Sequence, residues 1–120
     1  MKLRIKGNTI RIRLSEAEVN LLAEGTPIIE ETQFPSSTLT CKVQLSASEA
    51  VDFNDNVVQI NLTQDEIDRW AMTDEVTISK EMAIPNDNIL SILVEKDFKC
   101  LTVRPEDESE LYPNPNKHHC

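Results

Sequence analysis

An α+β domain, rich in antiparallel β-structure and built as a duplicated ββαββ unit, is the fold this 120-residue sequence predicts. Three observations predict it. Apolar residues alternate with polar ones in several short runs, which is the period of half-buried strands. Two helix starts, Ser15 to Glu18 and Thr63 to Glu66, carry the same capping box. The second half also repeats the first in one register, at an offset of 48 residues.

The chain opens KLRIKGNTIRIRL, residues 2–14. Leu3, Ile5, Ile10, Ile12 and Leu14 fall on one face of two strands, 2–6 and 9–14, joined by the two-residue turn Gly7-Asn8. Such a turn sets Arg4 opposite Arg11 and Lys2 opposite Arg13. Like charges directly opposite destabilise a strand pair, so an acidic strand or an anion is expected to face them. A helix over 16–24 follows, with Val19, Leu22 and Ala23 as its apolar stripe and Gly25 at the position after its C-cap. Strands over 27–34 and 38–45 complete the first unit, and Leu39, Cys41, Val43 and Leu45 alternate in the second of them.

The second unit reads 50–54, 57–62, helix 64–72, 76–82 and 89–95. Forty-eight residues on from Leu3, Ile5, Ile10, Ile12 and Leu14 stand Val51, Phe53, Val58, Ile60 and Leu62. Val19, Leu22 and Ala23 fall on Ile67, Trp70 and Ala71. At offset 51, Leu39, Cys41 and Val43 meet Leu90, Ile92 and Val94. A ninth strand is expected over 98–103. Two helices and eight antiparallel strands imply a barrel-like or curved sheet. The domain is expected over 1–104, with repeats at about 2–45 and 50–95 and an extended, proline-bearing tail over 105–120.

The formal net charge of -9 argues against nucleic-acid binding, and no apolar run reaches the roughly 20 residues a membrane helix needs. MKLRIKGNT has no apolar stretch after it, so no secretory signal is expected and the cytoplasm is the expected compartment. The charge is unevenly spread. Lys2, Arg4, Lys6, Arg11 and Arg13 are five of the 12 basic residues, and none of the 21 acids precedes Glu16.

Those five cations are the first candidate site, for a small anion or an acidic partner, because guanidinium groups grip phosphate and carboxylate with paired hydrogen bonds. A solvated outer sheet face, or ion pairing with the chain's own acids, is the alternative, and Asp52, aligned with Arg4, is a candidate partner. A second candidate lies at the end of the chain. His118 and Cys120 point the same way from an extended backbone, and with Cys100 and Asp107 they would complete a tetrahedral set for zinc, nickel or copper. A terminus that binds nothing, or a Cys100–Cys120 disulfide, are the alternatives. Cys41 sits in an apolar slot and is expected in the core. His118 and His119 are the chain's only histidines, so Ser/His or Cys/His catalysis would have to be built at its very end, which argues against a hydrolase. No catalytic residue and no cofactor other than the metal ion is expected, and the oligomeric state is left open.

Taken together, MKLRIKGNTIRIRLSEAEV, LSILVEKDFKCL and RPEDESELYPNP resemble a family of small uncharacterised bacterial proteins. The resemblance spans most of the chain and carries no activity with it. A looser likeness in architecture is to triphosphate tunnel barrels, whose basic lining KLRIK and RIR would supply. It implies a phosphate-processing enzyme as a further alternative. The alternating glutamates that open that family are Lys2, Arg4 and Lys6 here.

Overall fold

A computed structural model describes residues 1–99. Ten elements follow in the expected order: β1 (Lys2–Lys6), β2 (Thr9–Leu14), α1 (Glu16–Ala23), β3 (Ile28–Gln33), β4 (Thr38–Leu45), β5 (Ala50–Asn54), β6 (Val57–Leu62), α2 (Gln64–Ala71), β7 (Thr77–Ile84) and β8 (Asn88–Lys96). The expected ninth strand and the tail fall largely or wholly outside the described residues.

Local chemistry sets the boundaries. Gly7 adopts φ +54 between β1 and β2, which a two-residue hairpin turn requires at its first central position. Asp55 and Asn56 do the same between β5 and β6, at φ 52 and 64. Both capping boxes form. Ser15 Oγ accepts from the Glu18 N–H, and the Glu18 carboxylate accepts from the Ser15 N–H at 2.9 Å. Thr63 and Glu66 repeat this, with 3.0 Å from the Thr63 N–H to Glu66 Oε1. Gly25, at φ +95, closes α1. Its N–H donates to the Leu22 carbonyl and that of Thr26 to the Leu21 carbonyl, so carbonyls with no partner in the helix are satisfied.

The strands form two four-stranded sheets, ordered β1-β2-β8-β7 and β3-β4-β6-β5. The expectation of eight antiparallel strands in a barrel-like or curved sheet holds only in part. Neither sheet closes, and in each the central pair is parallel: β2 with β8 and β4 with β6. The cause is topological. β4 and β6 are separated by β5, which returns the chain and then pairs on the far side of β6, leaving β4 and β6 running the same way. Each sheet thus joins the first hairpin of one half to the second hairpin of the other.

The two central pairs share a register. Thr9 pairs with Ser91 and Val57 with Thr40, and the sequence offsets of 48 and 51 carry each pair onto the other. The inner faces pack into a core that includes Ile12, Leu14, Val43, Ile60, Leu62, Ile92 and Val94, all fully buried. The helices touch one another, and Val19, Leu22, Ile67 and Trp70 from them enter the same core. The Trp70 Nε1–H donates to the Val76 carbonyl at 2.8 Å, which satisfies the polar end of a side chain with no exposure.

Candidate functional site

The inner faces are not equally covered along their length. Toward the helices, Leu14 and Leu62 are wholly buried. At the hairpin tips, Ile5 is 58% and Phe53 64% exposed, although both continue the inward apolar stripe of their strands. The alternation therefore runs further than two short helices cover. The uncovered end is a cleft of about 520 Å³ lined by Leu3, Ile5, Ile10, Leu39, Val51, Phe53, Val58 and Leu90, with Asp52. That volume lies in the range of small-ligand sites. The eight apolar residues are four pairs of equivalent positions in the two halves: Leu3 with Val51, Ile5 with Phe53, Ile10 with Val58, and Leu39 with Leu90.

Its two rims differ in charge. β1 and β5 are edge strands. On the face of β1 turned away from the core stand Lys2, Arg4 and Lys6, all in exposed residues. At the equivalent places in β5 stand Ala50, Asp52 and Asn54, with Asp55 next in the turn. Asp52 Oδ1 accepts from the Phe53 N–H at 2.8 Å, and Asp52 borders a polar groove completed by Asn54, Asp55, Gln59 and Asn61. An amide cluster stiffens that groove: Gln44 and Gln59 both donate to Asn61 Oδ1, at 3.0 and 3.1 Å.

The five predicted cations do share one face. Lys2 lies opposite Arg13 and Arg4 opposite Arg11, with Arg11 and Arg13 half-buried. The face belongs to an open sheet and turns away from the core, so it lines no lumen of a closed barrel. The expected acidic neighbours come from β8 and the residue just after it. Lys2 Nζ lies 2.8 Å from Asp97, and Arg13 Nε lies 3.7 Å from Glu95 Oε1. Asp52, the partner suggested by alignment, belongs to the other sheet.

Two further charged groups were not singled out from sequence. Lys80 occupies an inward position of β7 and is 9% exposed. Its Nζ donates to both Glu49, just before β5, and Glu66, at the start of α2. In the other half the Met1 α-ammonium donates to Glu18 at 2.7 Å and lies 3.9 Å from Glu30 in β3. These are corresponding triads. Glu49 stands where Met1 stands and Glu66 where Glu18 stands. Lys80, opposite Ile92, takes the place of Glu30, opposite Cys41. Each triad has one cation and two carboxylates, with the cation at a different corner. Each bridges a seam where β1 and β3, or β5 and β7, share no backbone ladder. The sequence signal was present: Ile78, Lys80 and Met82 alternate, which puts a charge on an apolar face.

The charges hold one another ionised. Burial alone would raise the Glu66 carboxyl, but hydrogen bonds from Lys80 and the Thr63 N–H outweigh it and leave it below the usual range. Glu18 behaves alike through Met1 and Ser15. Burial opposes the Lys80 charge, yet Glu49 and Glu66 raise it above its ordinary value. Cys41 is 3% exposed, as expected of a core residue, and burial with the nearby Glu30 pushes its thiol up to about 11. A thiol so protonated is a packing group.

Cys100, Asp107, His118 and Cys120 lie outside the described residues. Among the described residues no three His, Cys, Asp or Glu side chains gather as a metal site. No described helix is long and apolar enough to cross a membrane.

Comparison with curated proteins finds no match. A family model matches residues 1–116, from β1 through both halves and past the last described strand. The chain belongs to that family, DUF7009, a family of unknown function.

Proposed function

We propose that this protein is a non-enzymatic binding module, and that the apolar mouth with its basic β1 rim is its working surface. The observation that carries this reading is the mouth itself, where equivalent apolar residues of both halves converge and leave Ile5 and Phe53 exposed. Large side chains at the centre of a concave apolar patch are the usual anchors of binding sites. The ligand class is an apolar group carrying acid. Its hydrophobic part fills the mouth and its carboxylate or phosphate meets Lys2, Arg4 and Lys6. The expected acidic partner of the basic hairpin thus acquires an apolar half. On this reading the chain is a tandem duplication whose two hairpin tips build one site, and it works in the cytoplasm.

Titration with anilinonaphthalene sulfonate, whose rings and sulfonate match the two parts of the site, tests the proposal. Saturable fluorescence enhancement is expected, lost in Phe53→Ala and weakened in Lys6→Glu. No enhancement, or enhancement indifferent to Phe53→Ala, overturns it. A thermal-shift series with triphosphate and sulfate separates the apolar requirement from plain anion binding, since a bound ligand stabilises the fold.

A further inference from the structure

We infer that the acidic, apolar partner of the mouth is a second copy of this chain, docked mouth to mouth. The inference rests on the binding-module reading above. Equivalent positions of the two halves line the mouth in four pairs, so a second copy can face it across a twofold in two principal ways. One sets β1 against β1 and β5 against β5. The other sets β1 of each copy against β5 of its mate.

Charge chooses between them. The β1 rim carries Lys2, Arg4 and Lys6, and the β5 rim carries Asp52 and Asp55. Like-with-like docking opposes cations to cations, which suppresses that arrangement. Crossed docking opposes Arg4 to the second copy's Asp52 and repeats the pair on the other side, because Arg4 and Asp52 are equivalent positions. The same docking covers Ile5 and Phe53, now 58% and 64% exposed, with the matching residues of the second copy. It is also self-limiting. One twofold closes the dimer and buries both edge strands that border the mouth, where a head-to-tail contact would propagate.

Sedimentation velocity across a micromolar concentration series tests this on the full chain. Twice the monomer mass is expected for the unmodified protein. Arg4→Asp places two acids face to face, and Asp52→Arg places two cations face to face. Each is expected to weaken association at least tenfold, and the double exchange Arg4→Asp/Asp52→Arg to restore it. Circular dichroism of each variant checks that the fold is intact. A monomer at every concentration overturns the inference, as does a dimer that the single exchanges leave unchanged.

The dye titration separates the two failures. A monomer whose dye enhancement depends on Phe53 refutes self-association and leaves the mouth as a site for another ligand. A monomer that gives no enhancement refutes both.

Discussion

Replacing Lys80 by Met leaves the Lys80 stem's volume filled and removes only the charge. The cost follows from what remains. Glu49 is 65% exposed, so its carboxylate returns to water at little expense. The Glu66 side chain is 18% exposed and keeps the Thr63 N–H on Oε1, but its Oε2 loses its partner. Stranding one member of a buried pair costs about 3–5 kcal/mol. With one carboxylate exposed and the other still holding its cap, the cost falls below that range, at about 2–3 kcal/mol. For a domain of this size that lowers the melting temperature by about 10 °C. The double variant Lys80→Met/Glu66→Gln should recover most of the loss, to within about 1 kcal/mol of the parent. Glutamine at that position still completes the capping box, and no buried charge is left unpaired. Urea unfolding followed by circular dichroism measures all three single and double variants and gives their coupling energy directly. A neutral Lys80→Met would show that Lys80 does not hold the Glu66 carboxylate at a structural cost. So would a double variant as unstable as the sum of its singles.

Other consequences are independent of that seam. Trp70→Phe removes a 2.8 Å hydrogen bond and part of a fully buried ring, while the Val76 carbonyl keeps the Lys96 N–H at 3.0 Å, so a loss of about 2–3 kcal/mol is expected in urea. Stability should fall at both ends of the pH scale through the triads. Glu66 and Glu18 are depressed, so their contribution is complete above the ordinary 4.5 and is lost as pH falls through their lower folded values. Lys80 is raised, so its contribution is complete below 10.5 and is lost as pH rises through its higher folded value. Glu66→Gln should flatten the acid limb of a melting-temperature profile, and an unchanged limb would remove Glu66 from the account. Alkylation by iodoacetamide at mildly alkaline pH should spare Cys41 in the native protein and modify it in urea, as read by mass spectrometry of its peptide. Native modification would contradict its burial.

Much of the fold could be read from residue order because it rests on local chemistry. Gly7-Asn8 and the alternation on either side fix the first hairpin, and Ser15/Glu18 and Thr63/Glu66 fix both helix starts. Sheet assembly was not readable in the same way. Val43 and Ile60 alternate identically whether β4 and β6 run parallel or antiparallel, so only the position of β5 beyond β6 decides the direction. The candidate site shows the same split. The five cations could be found in the sequence because they share one face of one hairpin. Their neighbours Glu95 and Asp97 could not, since β8 reaches β2 only through the tertiary arrangement. Ile5 and Phe53 read as ordinary core positions, and their exposure follows from the helices reaching only the far end. The triads needed the seam between sheets to be known, although a lysine at an inward position of β7 already marked one of them.

The mouth is the centre of the account, and methyl NMR tests it most directly. With the methyl groups of Ile, Leu and Val labelled, titration with anilinonaphthalene sulfonate should move the resonances of Leu3, Ile5, Leu39, Val51 and Leu90. Those of Leu14, Leu22 and Leu62, at the helix-covered end, should stay in place. Shifts confined to the covered end, shifts spread evenly over both, or no shift at all in the Asp52→Arg variant, whose mouth no second copy covers, would contradict the claim that this protein binds through its open mouth.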